Sequence, residues 1–205
     1  GLSIGGGPAG APTGTPGRGR PSRMRIDRLG TTWMIIAVLM AVVTLFLHRH
    51  MPQPLWTMIH LVTLGVLSNG IFQWSWFFAR SLARLAADDR RAHSDNLRRM
   101  LSFNACFALL LVSMWLGWFI GTILAATGIA VIAAWHGAAM LSVLRERLAS
   151  RFVVVVRYYV CAAAFFVLTA LLAGFVTTTM FSSSIPEAFL AMRDRLTFAH
   201  ALSGV

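Results

Sequence analysis

From Met100 to Leu144 the chain carries no Asp, Glu, Lys or Arg. At ~1.5 Å per residue, a helix of that length is about twice as long as the ~30 Å hydrocarbon core of a bilayer is thick. Such a run does not belong to a water-soluble domain, and it predicts two membrane helices joined by a turn. Composition points the same way, with 57% hydrophobic and 12% charged residues against about 45–50% and about 25% in ordinary soluble domains. The expected fold is all-α, a polytopic transmembrane helical bundle, because a backbone in lipid must satisfy its own hydrogen bonds.

Five complete spans and the start of a sixth are expected, at about 29–47, 55–79, 101–118, 122–144 and 152–179, with the sixth beginning near Leu196. Residues 1–28, rich in Gly, Pro and Arg, bury too little to order themselves and read as a disordered tail. Pro52 and Pro54 in the His48–Pro54 turn stop the first helix. Gly117 to Gly121 is the expected turn in the uncharged run, with Trp115 and Trp118 at the interface. The second span is expected to continue into a charged helix carrying Arg80, Arg84, Asp88, Asp89, Arg90 and Arg91. Asp95 with Arg98 and Arg99 has helical spacing and reads as a solvated face. The initial Gly and the apolar stretch at Val205 suggest a fragment cut at both ends.

All 18 basic residues are Arg, and the net charge is +11. Alternating sides from an inner N-terminus puts Arg18 to Arg28, Arg80 to Arg99, and Arg145, Arg147, Arg151 and Arg157 on one side. Only Arg49, Arg193 and Arg195 fall on the other. The positive-inside rule therefore predicts a multi-pass plasma-membrane protein with a cytoplasmic N-terminus, and the charge is a topology signal rather than a nucleic-acid footprint.

Polar residues in an apolar span usually point inward. On a uniform helix, His60, Thr63, Ser68 and Ser75 fall on one side of span two, and Gly65, Asn69, Gln73 and Trp76 on the other. That pattern predicts span two as the most enclosed helix, with Asn69 and Gln73 bonded to its neighbours. His60 and His200, one turn into the sixth span, lie at similar depth in the outer half. Two neutral imidazoles so placed would serve as axial ligands of one haem iron, with Gly65 and Gly204 opening the gap for the macrocycle, or else as hydrogen-bonded packing residues. His136, in the inner half of span four, is a weaker ligand candidate and reads first as a packing residue beside small neighbours. His48, His50 and Met51 in the outer turn form an imidazole and thioether cluster soft enough for copper, or an ordinary interfacial turn. Cys106 and Cys161 lie in apolar runs without ligand spacing, which argues against a disulfide framework or a zinc site. No nucleophile and base, paired carboxylates or phosphate loop is present, so no catalytic residue is expected.

The motifs Pro52-Gln53-Pro54-Leu55-Trp56, His60-Leu61-Val62-Thr63-Leu64-Gly65-Val66-Leu67-Ser68-Asn69 and Trp74-Ser75-Trp76-Phe77-Phe78-Ala79 carry a family resemblance. With Trp135-His136, Arg151-Phe152 and Arg157-Tyr158-Tyr159-Val160, the chain from about Arg23 to Val205 resembles the N-terminal multi-span membrane region of actinobacterial copper oxidases of the nitrite reductase (multicopper oxidase) type. It differs from that family after His200, where Ala201-Leu202-Ser203-Gly204-Val205 contains no Asn. The resemblance implies the membrane domain of a copper-dependent oxidoreductase, with copper in C-terminal cupredoxin domains that this chain lacks. It further implies electron relay from quinol through haem b. A cofactor-free membrane anchor is the alternative, and a small transporter domain fits less well without a mid-membrane carboxylate.

Overall fold

Each apolar run of the sequence becomes a helix. The computed structural model describes residues 1, 22–83, 85, 90, 94–146, 153–181 and 186–204. The elements are α1 (Ser22–Leu47), α2 (Pro54–His60), a π-helical segment (Leu61–Ser68), α3 (Asn69–Leu82), α4 (Ser94–Trp115), α5 (Phe119–Glu146), α6 (Val153–Phe181) and α7 (Glu187–Gly204). α2, the π segment and α3 run on without a break and together make the second span. Five helices are long and apolar enough to cross a membrane, from Arg28–Leu47 to Arg157–Phe181. The fold is an all-helical bundle of a multi-pass membrane protein. Residues 2–21 of the expected tail, the charges Arg84, Asp88, Asp89, Arg91, Arg147 and Arg151, and the polar segment 182–185 lie outside the described residues.

Turn chemistry sets the boundaries. Pro54 opens α2, where its missing N–H costs nothing, and Gln53 before it takes a left-handed φ of 49°. Gly117 reverses the chain between α4 and α5 at φ 65°, a conformation that favours glycine. α1 starts at Ser22, ahead of the expected Leu29, since the Arg-containing turn before the apolar run continues the helix.

α7 departs further from expectation, beginning at Glu187 rather than near Leu196. Glu187 in its first turn favours the positive helix end, and the charges Arg193, Asp194 and Arg195 sit within the helix without stopping it.

Polar clips join the spans. Asn69 of α3 and Asn104 of α4 exchange two amide bonds, both 2.9 Å. Trp115 Nε1 donates to Thr57 Oγ1 at 2.9 Å, tying α4 to α2. Ser203 of α7 and Thr169 of α6 have their hydroxyls 2.8 Å apart. Between the clips, Phe72, Phe103, Leu110, Ala125, Ile129 and Ile132 form the apolar centre.

The π segment is where the uniform-helix reading fails. Ser68 Oγ donates to the carbonyl of Thr63, five residues back, at 2.9 Å. Asn69 Nδ2 reaches the Gly65 carbonyl at 3.0 Å, so two side chains bond main-chain acceptors along the wider turn. More residues per turn rotate everything downstream, and the neighbours Ser68 and Asn69 are both buried. A Cβ on Gly65 would lie 2.5 Å from Ala37 Cβ and 3.2 Å from Phe107, so this glycine lets α1 and α4 close onto the segment. It therefore narrows a gap rather than opening one. Gly204 does the same for α6, since a Cβ there would lie 2.9 Å from Thr169 Cγ2.

Span two is not the most enclosed helix. In the apolar stretches of α4 and α5, 50% of residues are buried, against 33% in span two. Its third face, with Leu55, Ile59, Val62, Leu67, Ile71 and Trp74, is exposed, as a lipid-facing surface must be. Asn69 does bond a neighbouring span, whereas Gln73 Oε1, buried beside Gly30, has no partner among the described residues.

Candidate functional site

His60 is the last residue of α2, directly before the π segment. Its ring stacks on Trp56 at 4.0 Å between centroids, and its Nδ1 lies 2.8 Å from the Trp56 carbonyl one turn back. A carbonyl only accepts, so Nδ1 carries the proton and the neutral ring keeps its lone pair on Nε2.

His200 is held the same way by a different element. Its Nδ1 lies 2.9 Å from the carbonyl of Thr169 on α6, again leaving Nε2 as the basic nitrogen. Because α7 starts at Glu187, His200 sits more than three turns into its helix rather than one. A backbone carbonyl fixing the tautomer and orientation of an imidazole is the arrangement usual behind a ligating histidine.

The structure brings these two histidines together. Their ring centroids are 6.4 Å apart and their planes are within 18° of parallel. At the roughly 2 Å of a metal–imidazole bond, two imidazoles on opposite sides of one metal ion have ring centres roughly 6 Å apart. The observed separation suits two ligands of one metal ion and is too long for tight ring stacking.

Both histidines line one cavity of about 380 Å³ in the half of the bundle shared by α2, the π segment and α4 to α7. This lies within the ~300–1,000 Å³ typical of cofactor and small-molecule sites. Its wall is apolar over most of its area, with Leu64, Leu110, Met114, Ala126, Ile129 and Phe166. Besides the histidines, Thr63, Ser68, Thr122, Thr169, Thr177, Thr197 and Arg193 are the polar residues of the wall, and among the described residues no acidic one contributes. Two imidazoles, an apolar wall and a guanidinium are chemically suited to a planar iron macrocycle with acidic substituents. The residues present fit such a group.

His136 does not line this cavity. It is 2% exposed, with Nε2 2.8 Å from Ser75 Oγ and the edge of Phe72 4.4 Å away between centroids. Those contacts seat it between α3 and α5. His48 and His50 are exposed in the turn after α1, and His48 Nδ1 is engaged by the Leu45 carbonyl at 2.8 Å. Met51 beside them is half-buried. Among the described residues, no group of three or more His, Cys, Asp or Glu is placed to hold a metal ion.

Three features escaped the sequence reading. Arg99 belongs to no solvated face: it is 2% exposed, with its guanidinium 4.3 Å from the Trp76 ring centre and 5.9 Å from that of Trp135. Arg98, its neighbour, is exposed as expected. The Thr169 carbonyl that orients His200 has no sequence signal at all, since every residue carries one. Arg193 and Thr197 would have been legible from their spacing of seven and three residues before His200, had the helix been started at Glu187.

Compared with protein-family models, with curated proteins and with solved structures, the chain matches none.

Proposed function

We propose that this chain is the membrane domain of a copper-dependent oxidoreductase of the nitrite reductase or multicopper oxidase type, in which His60 and His200 would hold haem b. The observation that carries the reading is the pair of imidazoles on one cavity, 6.4 Å apart, each tethered through Nδ1 to a carbonyl. The sequence resemblance supplies the copper partner, cupredoxin domains fused to or associated with the outer face.

When bound, haem b would supply reversible one-electron transfer. The chain's own residues prepare the site. The Trp56 and Thr169 carbonyls hold the protons on Nδ1 and aim each Nε2 lone pair. Trp56 packs one face of His60, and the wall around the pair is apolar over most of its area. The π turn beginning at Leu61 sets how His60 is presented relative to the buried Asn69 clip below it.

Purified protein should show a reduced-minus-oxidised haem b spectrum, lost in His60→Ala and in His200→Ala and retained in His48→Ala, whose side chain is not part of the cavity wall. A colourless protein, or a spectrum surviving both substitutions, overturns the cofactor and leaves the anchor. The same reading places the N-terminus in the cytoplasm of a plasma-membrane protein, on the strength of the Arg asymmetry. With Cys106 and Cys161 replaced by Ala, an impermeant thiol reagent added to intact cells should label a cysteine at Ser183 but not one at Ser94. Labelling at Ser94 overturns that orientation.

A further inference from the structure

Arg193 lies on α7 seven residues before His200, so the two share a helix face about two turns, or ~10.5 Å, apart. Thr197 lies between them on the same face, and all three line the cavity. Arg195, two residues on, is turned away and is not part of the wall. Among the described residues the cavity lining holds no Asp or Glu, and Arg193 has no ion pair. A guanidinium at the rim of an apolar cavity, without a counter-charge in the wall, is complementary to a planar carboxylate, which it can bind through two parallel hydrogen bonds.

We propose that Arg193 is the anion anchor of the cavity, binding a carboxylate carried by the molecule that His60 and His200 ligate. Resting on the haem reading above, this carboxylate is a haem propionate. The propionates are the macrocycle's only charged groups, and they reach from the iron by a distance comparable to the two-turn offset between His200 and Arg193. The anchor fixes the rotation of the ring about the axis through the two histidines, which the histidines alone leave free. It also places a positive charge beside the propionate, partly neutralising a negative charge close to the iron, and this favours the reduced state.

The test compares haem b with its dimethyl ester, in which both propionates are blocked, added to the full-length apo chain in detergent. Absorbance titration should show Arg193→Gln weakening haem b about tenfold while leaving the ester at its wild-type affinity. Arg193→Lys should recover part of the loss, and Arg195→Gln should change neither. The haem b midpoint potential should move down in Arg193→Gln; a tenfold difference between the two oxidation states corresponds to about 59 mV. Equal weakening of haem b and ester, or unchanged haem b affinity and potential, overturns the anchor while leaving the histidine reading intact. Failure of both haems to bind in a His60-dependent and His200-dependent way overturns the histidine reading and the anchor with it.

Discussion

The reciprocal amide pair between Asn69 and Asn104 tests whether polar clips, rather than apolar burial alone, hold α3 against α4. Each residue donates to and accepts from the other at 2.9 Å, and both are at least 97% buried, with exposures of 1% and 3%. An interhelical hydrogen bond in a membrane averages about 0.6 kcal/mol and reaches about 1.7. Two such bonds give a coupling of about 1–3 kcal/mol. Asn69→Leu removes both bonds and strands Asn104 Oδ1, although Asn104 Nδ2 keeps the Met100 carbonyl at 2.9 Å. The stranded acceptor is part of what a double-mutant cycle registers as coupling, not an addition to it. Asn104→Leu strands Asn69 Oδ1 in turn, while Asn69 Nδ2 keeps the Gly65 carbonyl. In Asn69→Leu/Asn104→Leu both orphans vanish, so the double variant should cost about 1–3 kcal/mol less than the sum of the singles. Unfolding in mixed micelles, titrated with dodecyl sulfate and followed by tryptophan fluorescence, gives all four corners of the cycle. Additivity within about 0.5 kcal/mol, the scatter expected of independent sites, refutes the pair.

Further predictions concern close contacts and single bonds. Gly65→Ala should cost about 1–3 kcal/mol, because its Cβ meets that of Ala37 at 2.5 Å and neither can swing aside; Gly70→Ala, whose nearest neighbour is Met34 Sδ at 3.6 Å, should be neutral or stabilising in the same titration. Thr57→Val should lose about 1 kcal/mol with the bond from Trp115 Nε1, and Trp115→Phe on that background should lose little more hydrogen-bond energy. His136 Nδ1 has no partner among the described residues, so Ser75→Ala removes the imidazole's one hydrogen bond to them and should cost about 1–3 kcal/mol; Ser75→Ala/His136→Leu should recover part of that loss.

Much of the architecture was legible because its causes are local. Whether a run such as Met100–Leu144 crosses a bilayer depends on the transfer of its own side chains, and where it reverses depends on one residue, Gly117, able to take φ 65°. The inward disposition of Asn69 and Ser68 followed from the cost of leaving a polar group in lipid. Helix starts were less legible where charge and propensity disagree: Arg193, Asp194 and Arg195 resemble a loop by hydropathy, yet all three are compatible with a helix interior.

What lay beyond the sequence depends on groups brought together from distant parts of the chain. Uniform periodicity placed Gly65 by angle, but the π turn rotated the segment and pressed that glycine onto Ala37. Arg99 appeared solvated beside Asp95 and Arg98, and only the arrival of Trp76 from α3 and Trp135 from α5 gave its guanidinium a buried seat. The two histidines could be set at a common depth from the chain alone, since depth is counted along a helix. Their 6.4 Å separation could not, because it depends on α7 packing on α6, where Gly204 admits Thr169 and the Thr169 carbonyl turns the His200 ring. Depth is a property of one helix, whereas distance across a bundle is a property of how several helices pack.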